Sequence, residues 1–233
     1  MSDHMKRLAM PKTWPIPKKV HLWATKQNAG AHSVASSMPA AMVLRDMLKV
    51  CDTASEAKKI VAARDLIVNG KAVKDAKAPI GIMDVVSLPK MGTNYRVLLT
   101  SKGKLAFVPI SADDAKWILC RIENKTLVAG GKVQLNLSGG RNVLIDANKY
   151  STGDTVKLSL EDNSILADYP LAEGAVVLVI SGRHIGAIDE IAKYTVVNRP
   201  TENIVTFKNE TETVKANIFV IGTGKSELPE VTE

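Results

Sequence analysis

The sequence predicts an α+β protein of several small domains, with one short helical unit set among strands. Three observations carry this expectation. Apolar residues recur at helical spacing between Ala40 and Arg64. Beyond Lys90, short strand-like runs alternate with glycine-bearing turns. The charge is also uneven. Residues 1–104 carry 18 Lys/Arg against 7 Asp/Glu and residues 105–233 carry 13 against 17, so +11 and −4 make up the net +7. A basic half joined to a nearly neutral one implies a polyanionic partner for the first. The 233 residues leave room for two or three small domains or one large one.

Residues 1–39 read as an irregular basic arm. "MPKTWPIPKK" has three prolines in ten residues, and each proline fixes φ and removes a backbone donor. Lys6, Arg7, Lys12, Lys18, Lys19 and Lys26 fall here, with Trp14 and Trp23 among them. So many cations with so little periodicity cannot make a core of their own, so the arm is expected to order against a partner.

From Ala40, the residues Met42, Val43, Leu44, Met47, Leu48 and Val50 make an apolar face, with Arg45, Asp46 and Lys49 on the other side. "CDTASEAKKIVAAR" starts a second helix with Thr53 or Ser55 as N-cap and Glu56 in its first turn. In "LIVNGKAV" (66–73), Asn69-Gly70 stands between two strand-like runs, the strongest short-range hairpin signal because both turn residues need φ > 0. Cations crowd this hairpin: Lys58, Lys59 and Arg64 before it, Lys71, Lys74 and Lys77 after it. Beside Arg45 and Lys49 they are candidates for one phosphate-contacting face.

After Lys90 the chain reads as strands. "NYRVLLT" and "KLAFVPI" flank a turn at 101–103, "SADDAKWIL" suggests one short helix capped by Ser111, and "KVQLNLSGGRNVLI" is a hairpin turning at Gly139-Gly140. Strands at this spacing mean a small barrel or sandwich. A third unit begins near Leu171. Val176–Ile180 forms a strand, Gly182 and Gly186 frame a loop tipped by Arg183 and His184, and another strand starts at Ala187. The polar tail "GTGKSELPEVTE" is expected to fray.

Several chemistries are excluded. "GTGKS" lacks the first glycine of a phosphate loop, since Phe219 stands there. The four histidines lack metal-ligand spacing, and no cofactor site suggests itself. Asp113-Asp114 are adjacent and point about 100° apart on a helix, so they read as first-turn residues and not a catalytic pair. Cys51 and Cys120 are too few for a disulfide framework and read as small core residues of a reducing cytoplasm. No membrane-spanning run and no signal peptide are expected.

Longer blocks then carry a resemblance. Lys6-Arg7-Leu8-Ala9, Pro11-Lys-Thr-Trp14-Pro15-Ile16, Gly30, His32, Ser33, Pro39 and Leu44-Arg45-Asp46 match one family's N-terminal motifs. "GIMDVVSLPKMGTNYRVL", "ISADDAKWILCRIENKT", "VQLNLSGGRNVLI" and "NIFVIGTGK" match its later blocks in order. The chain resembles the archaeal and eukaryotic small-subunit ribosomal protein family S-four-e over nearly its whole length. The resemblance implies an arm (1–39), a helix-helix-hairpin S-four-like RNA-binding domain (40–90), a central β domain (91–170) and an SH3-like KOW domain with tail (171–233). It implies a cytoplasmic, non-catalytic protein whose partners are small-subunit ribosomal RNA and neighbouring ribosomal proteins, with no membrane and no small-molecule substrate. The RNA contacts would come from the arm, including Trp14, from the S-four cations Arg45, Lys49, Lys58, Lys59, Arg64, Lys71 and Lys74, and from Arg183 and His184. Asn69, Gly70, Gly139, Gly140, Gly182 and Gly186 would shape the turns. The alternatives are a pseudouridine-synthase-like enzyme, whose "GRLD"-type motif fails at Gly140-Arg141-Asn142 and at Ala63-Arg64-Asp65, or a KOW-bearing transcription or translation factor, which would leave the arm without a role.

Overall fold

The structure is a computed structural model that describes residues 4–197, 200–229 and 231. Strands dominate, and two compact units divide the chain: Met1–Leu98 with Lys104–Ile118, and Leu99–Gly103 with Leu119–Glu233.

In the first unit, the arm pairs β1 (Met5–Lys6) with β2 (Trp23–Ala24), and β3 (Ser37–Pro39) pairs with β6 (Pro79–Gly81). A helical segment follows β3, but only Ala40–Met42 (α1) is α-helical. Val43–Met47 is a π-turn, with Leu48 N–H donating to Val43 O at 2.9 Å, and Lys49 leaves it at φ 51°. The expected regular helix through Val50 is therefore cut short. α2 (Ala54–Ala62) begins at Thr53, not Ser55. Thr53 Oγ1 accepts from Glu56 N–H at 3.2 Å while Glu56 Oε2 accepts from Thr53 N–H at 3.2 Å, a reciprocal capping box. The Asp52 N–H, 3.0 Å from Glu56 Oε2, and the Thr53 N–H both donate to the carboxylate and hold Glu56 below the usual acid range.

The Asn69-Gly70 hairpin forms as expected: β4 (Ile67–Val68) pairs with β5 (Lys71–Ala72), with φ of 50° and 76° at the turn. It belongs to a larger sheet of order β5-β4-β7-β8-β9, with β7 Val85–Leu88, β8 Thr93–Leu99 and β9 Leu105–Ile110. The sheet thus runs across residue 90, where a domain boundary was expected. Its core joins Met38, Leu44, Leu66, Ile80, Val86 and Leu98. Arg96 is fully buried. Its Nη2 donates to the carbonyls of Asp114 (2.7 Å) and Trp117 (3.0 Å), and its guanidinium stacks 4.0 Å over the Trp117 ring. Burial pulls its pKa down to about 10, against the opposing charge of Asp114.

The second unit contains two five-stranded antiparallel sheets. One has the order β12-β11-β10-β13-β14, from β10 (Trp117–Leu127), β11 (Val133–Leu137), β12 (Arg141–Ile145), β13 (Thr155–Ser159) and β14 (Ile165–Tyr169). The expected helix at 111–119 reduces to one 3-10 turn, Asp114–Lys116, capped by Ser111 Oγ at 3.1 Å from Asp114 N–H. From Trp117 the chain is strand, with Trp117–Cys120 and Ile122 buried and residues 123–127 exposed. The β11–β12 hairpin turns over three residues, Ser138–Gly140, with both glycines at positive φ. The other sheet has the order β18-β17-β16-β15-β19, from β15 (Ala175–Val179), β16 (Ile188–Thr195), β17 (Ile204–Phe207), β18 (Glu212–Val214) and β19 (Ile218–Thr223). In its β15–β16 loop, a Cβ on Gly186 would stand 2.1 Å from the Thr100 carbonyl oxygen, so no side chain fits there. The tail does not fray at once: Glu227 N–H bonds Ile221 O at 3.0 Å, Glu227 pairs with Lys157 at 2.8 Å, and Leu228 is buried. Its last acidic residues, Glu230 and Glu233, lie outside the described residues.

Candidate nucleic-acid interface

The arm is folded onto its own unit, contrary to the expectation that it needs a partner to order. The alternation Trp14-Pro15-Ile16-Pro17 buries the two large apolar residues and exposes the two prolines. Trp14 is 1% exposed, and its Nε1–H donates to Ser37 O at 2.7 Å. Leu105 N–H closes on Thr13 O at 2.8 Å, and Asn28 N–H on Lys77 O at 3.0 Å. Trp14 therefore cannot stack on a base in this fold. Arg7 is likewise only 2% exposed, and its Nε donates to Pro17 O at 2.7 Å, so it braces the arm and does not face solvent. Lys6, Lys12 and Lys19 are exposed. Lys18 is half-buried, with Nζ 3.2 Å from Met10 O.

The hairpin's cations have a different fate. Lys58 and Lys59 lie on the solvent side of α2, away from buried Ala57 and Val61. Arg64 leaves the helix at φ 63° and is exposed, as are Lys71 and Lys74. Val68 faces Lys71 in the ladder and Val73 N–H reaches Leu66 O at 2.9 Å. At the helix exit, Asp65, the neighbour of Arg64, pairs with Lys90 at 2.5 Å. Arg45 is less available: it pairs with its neighbour Asp46 at 2.8 Å on the π-turn, while Lys49 beyond it is exposed.

What holds the hairpin is a buried polar network that sequence reasoning missed. Asp84, 2% exposed, accepts at Oδ1 from Asn69 Nδ2 (2.7 Å) and at Oδ2 from Gly81 N–H (2.8 Å) and His32 Nε2 (3.0 Å). Asn69 Oδ1 in turn accepts from Val85 N–H at 2.8 Å. A Cβ on Gly81 would fall 2.3 Å from the His32 ring, so glycine is required for the ring to lie there. Burial alone would lower the His32 pKa, but the hydrogen bond and charge of Asp84 outweigh it and raise it above 6.5. The signal was present in the sequence as a lone His and a lone Asp, 52 positions apart, which no spacing rule connects.

In the second unit, Arg183 and His184 are exposed at the tip of the β15–β16 loop, with Gly182 at φ 95° and Gly186 at φ 82° on either side. Among the described residues no cluster of His, Cys, Asp and Glu is disposed to hold a metal ion, and no helix is long and apolar enough to cross a membrane. Cys51 and Cys120 are both buried.

A strand-rich α+β chain with a net-basic first half, exposed cations on its arm and hairpin and several small antiparallel sheets is a basic, multi-sheet protein. Known proteins narrow the class. Residues 91–165 match the family described as "Ribosomal family S4e", and residues 1–35 match the "RS4NT (NUC023) domain". The small ribosomal subunit protein eS4 of Methanothermobacter thermautotrophicus is 40% identical over 227 residues, covering 96% of this chain and 93% of that one. The eS4 protein of Archaeoglobus fulgidus is 39% identical over 229 residues, covering 97% and 96%. The crystal structure of the 30S ribosomal protein S4e from Thermoplasma acidophilum superposes with a TM-score of 0.71 at 28% identity, over 81% of this chain and 96% of that one. The chain belongs to the eS4 family of ribosomal proteins.

Proposed function

We propose that this protein is a structural, non-catalytic constituent of the small ribosomal subunit in the cytoplasm, where it binds ribosomal RNA and meets neighbouring ribosomal proteins. Its membership of the eS4 family, along almost its full length, carries this reading. Residues 40–90 act as an S-four-like RNA-binding module, 91–170 as the central β domain, and 171–233 as a KOW-type SH3-like domain with its tail. The exposed Lys58, Lys59, Arg64, Lys71 and Lys74 around a braced turn support the first assignment, and the five-stranded antiparallel sheet of β15–β19 supports the last. In the first unit Lys49 adds a phosphate contact; in the second Arg183 adds another, and its neighbour His184 hydrogen-bonds RNA. Phosphates give sequence-independent, salt-sensitive affinity to such a surface.

The test is co-sedimentation of the full chain with small ribosomal subunits at moderate salt. The protein is expected in the subunit fraction. Recovery in the supernatant at salt concentrations where other ribosomal proteins stay bound would refute the assignment.

A further inference from the structure

The arm carries a second feature that phosphate binding does not explain. Leu8, Val20 and Leu22 are 65%, 60% and 65% exposed, and Trp23 is 50% exposed. Leu8, Val20 and Leu22, together with Lys6, Lys18, Lys19 and His21, line an open groove of about 370 Å³, and Trp23 adjoins this lining as the ladder partner of Lys6 and the neighbour of Leu22. The two-residue ladder sets Lys6 directly opposite Trp23, and both are on the exposed side while their neighbours Met5 and Ala24 turn inward. His4 meets the Trp23 indole edge-on, with ring centroids 5.6 Å apart. From His4 to Arg45 the sequence contains no Asp or Glu.

On the reading of the protein as an RNA binder, we infer that this groove takes an unpaired stretch of RNA, with a base stacked on Trp23 and the flanking phosphates on Lys6, Lys18 and Lys19. The chemistry of the groove argues for this occupant. Apolar lining residues accept the face of any base, an exposed indole is a stacking platform, and lining cations follow a phosphate chain. A partner protein's apolar patch would fit the apolar residues but would leave three lysines and His21 without anionic partners. The stacking tryptophan is then Trp23, and Trp14, thirty-fold or more less exposed by fraction, is the structural one.

The probe is an eight-nucleotide unpaired oligoadenylate, titrated into the full-length protein across a salt series, with thermal melting as a control for folding. Trp23→Leu is expected to weaken binding about fivefold or more, the worth of one stacked base, with melting and salt slope unchanged. Trp23→Tyr retains most of the affinity, because a phenol ring still stacks. Lys18→Ala with Lys19→Ala flattens the salt slope by roughly 0.7 per lost contact. Wild-type affinity in Trp23→Leu would overturn the inference. So would normal RNA binding by Trp23→Leu combined with loss of its place in the small subunit, which would make the groove a protein interface. A wild-type chain that joins subunits but ignores the oligonucleotide sinks this inference alone. A wild-type chain that does neither sinks the assignment to the ribosome as well.

Discussion

The arm and the Asn69-Gly70 hairpin are both basic, yet they spend their charges differently. In the arm, a cation and an aromatic are built into the fold: Arg7 and Trp14 each donate to a backbone carbonyl from a buried position. In the hairpin, neutral and acidic residues do the bracing, through Gly70, Asn69 and Asp84, and every flanking Lys from 58 to 74 stays exposed. The lesson is that charge density locates a binding region but not its contacts. Those depend on which residues the backbone needs for itself.

The comparison is most strongly tested at Trp14. Trp14→Ala removes a wholly buried indole and its hydrogen bond, and is expected to cost about 3–5 kcal/mol in a denaturant melt. A loss of RNA affinity at unchanged stability would restore Trp14 as a contact and erase the distinction between the two regions. For the same reason, truncating the first twenty residues should lower the melting temperature, not just RNA affinity.

Asp84→Asn is the next largest. It deprives three donors of a carboxylate and is expected to cost about 2–3 kcal/mol, seen as a lower denaturation midpoint. It also has a pH signature. His32 has a raised pKa in the fold, so its ion pair contributes fully below the unfolded value of 6.5, and this contribution fades as pH rises through the higher folded value. Wild-type stability should therefore lose a component on going from mildly acid to alkaline conditions, and Asp84→Asn should lack that component. The charge facing His32 is Asp84, and Asn69 beyond it is neutral.

Gly70→Val forces a β-branched residue to φ 76° and should cost about 1–2 kcal/mol in thermal melting, with the flanking lysines untouched. The smallest effect on stability is that of Lys59→Ala with Lys71→Ala. Melting should not move, while affinity for small-subunit RNA should fall and its salt slope should flatten by roughly one unit per contact, by analogy with duplex DNA. An unchanged slope would mark both lysines as solvated bystanders and leave the arm as the main contact surface.

Local rules carried the hairpin, the N-cap region, the glycine turns and the strand-rich second half, because each depends on residues within a few positions of one another. They failed wherever a distant partner decided the outcome. The first helix loses its regular turn after Met42, and the expected helix at 111–119 stops at one 3-10 turn because Trp117 joins a sheet and Arg96 stacks on it. The candidate site divides along the same line. Lys58, Lys59, Arg64, Lys71 and Lys74 are all exposed, which their places on a local helix and hairpin already implied. In the arm, however, the choice between Trp14 and Trp23 rests on Ser37 and Lys6, and only the folded backbone brings those two into play. The period of Trp14-Pro-Ile16-Pro was a legible sign of burial, but the same alternation at Val20 and Leu22 leads to exposure.

The bond between Thr13 and Leu105 also sets a schedule. At synthesis rates of about 5–20 residues per second, the partner that fixes Thr13 is made roughly 5–20 s after it. For that interval a segment with no carboxylate from His4 to Arg45 has only its own local contacts, such as Arg7 with Pro17 and Trp14 with Ser37, to hold it. The later strand locks an arm that has closed over Trp14 and left Trp23 outside.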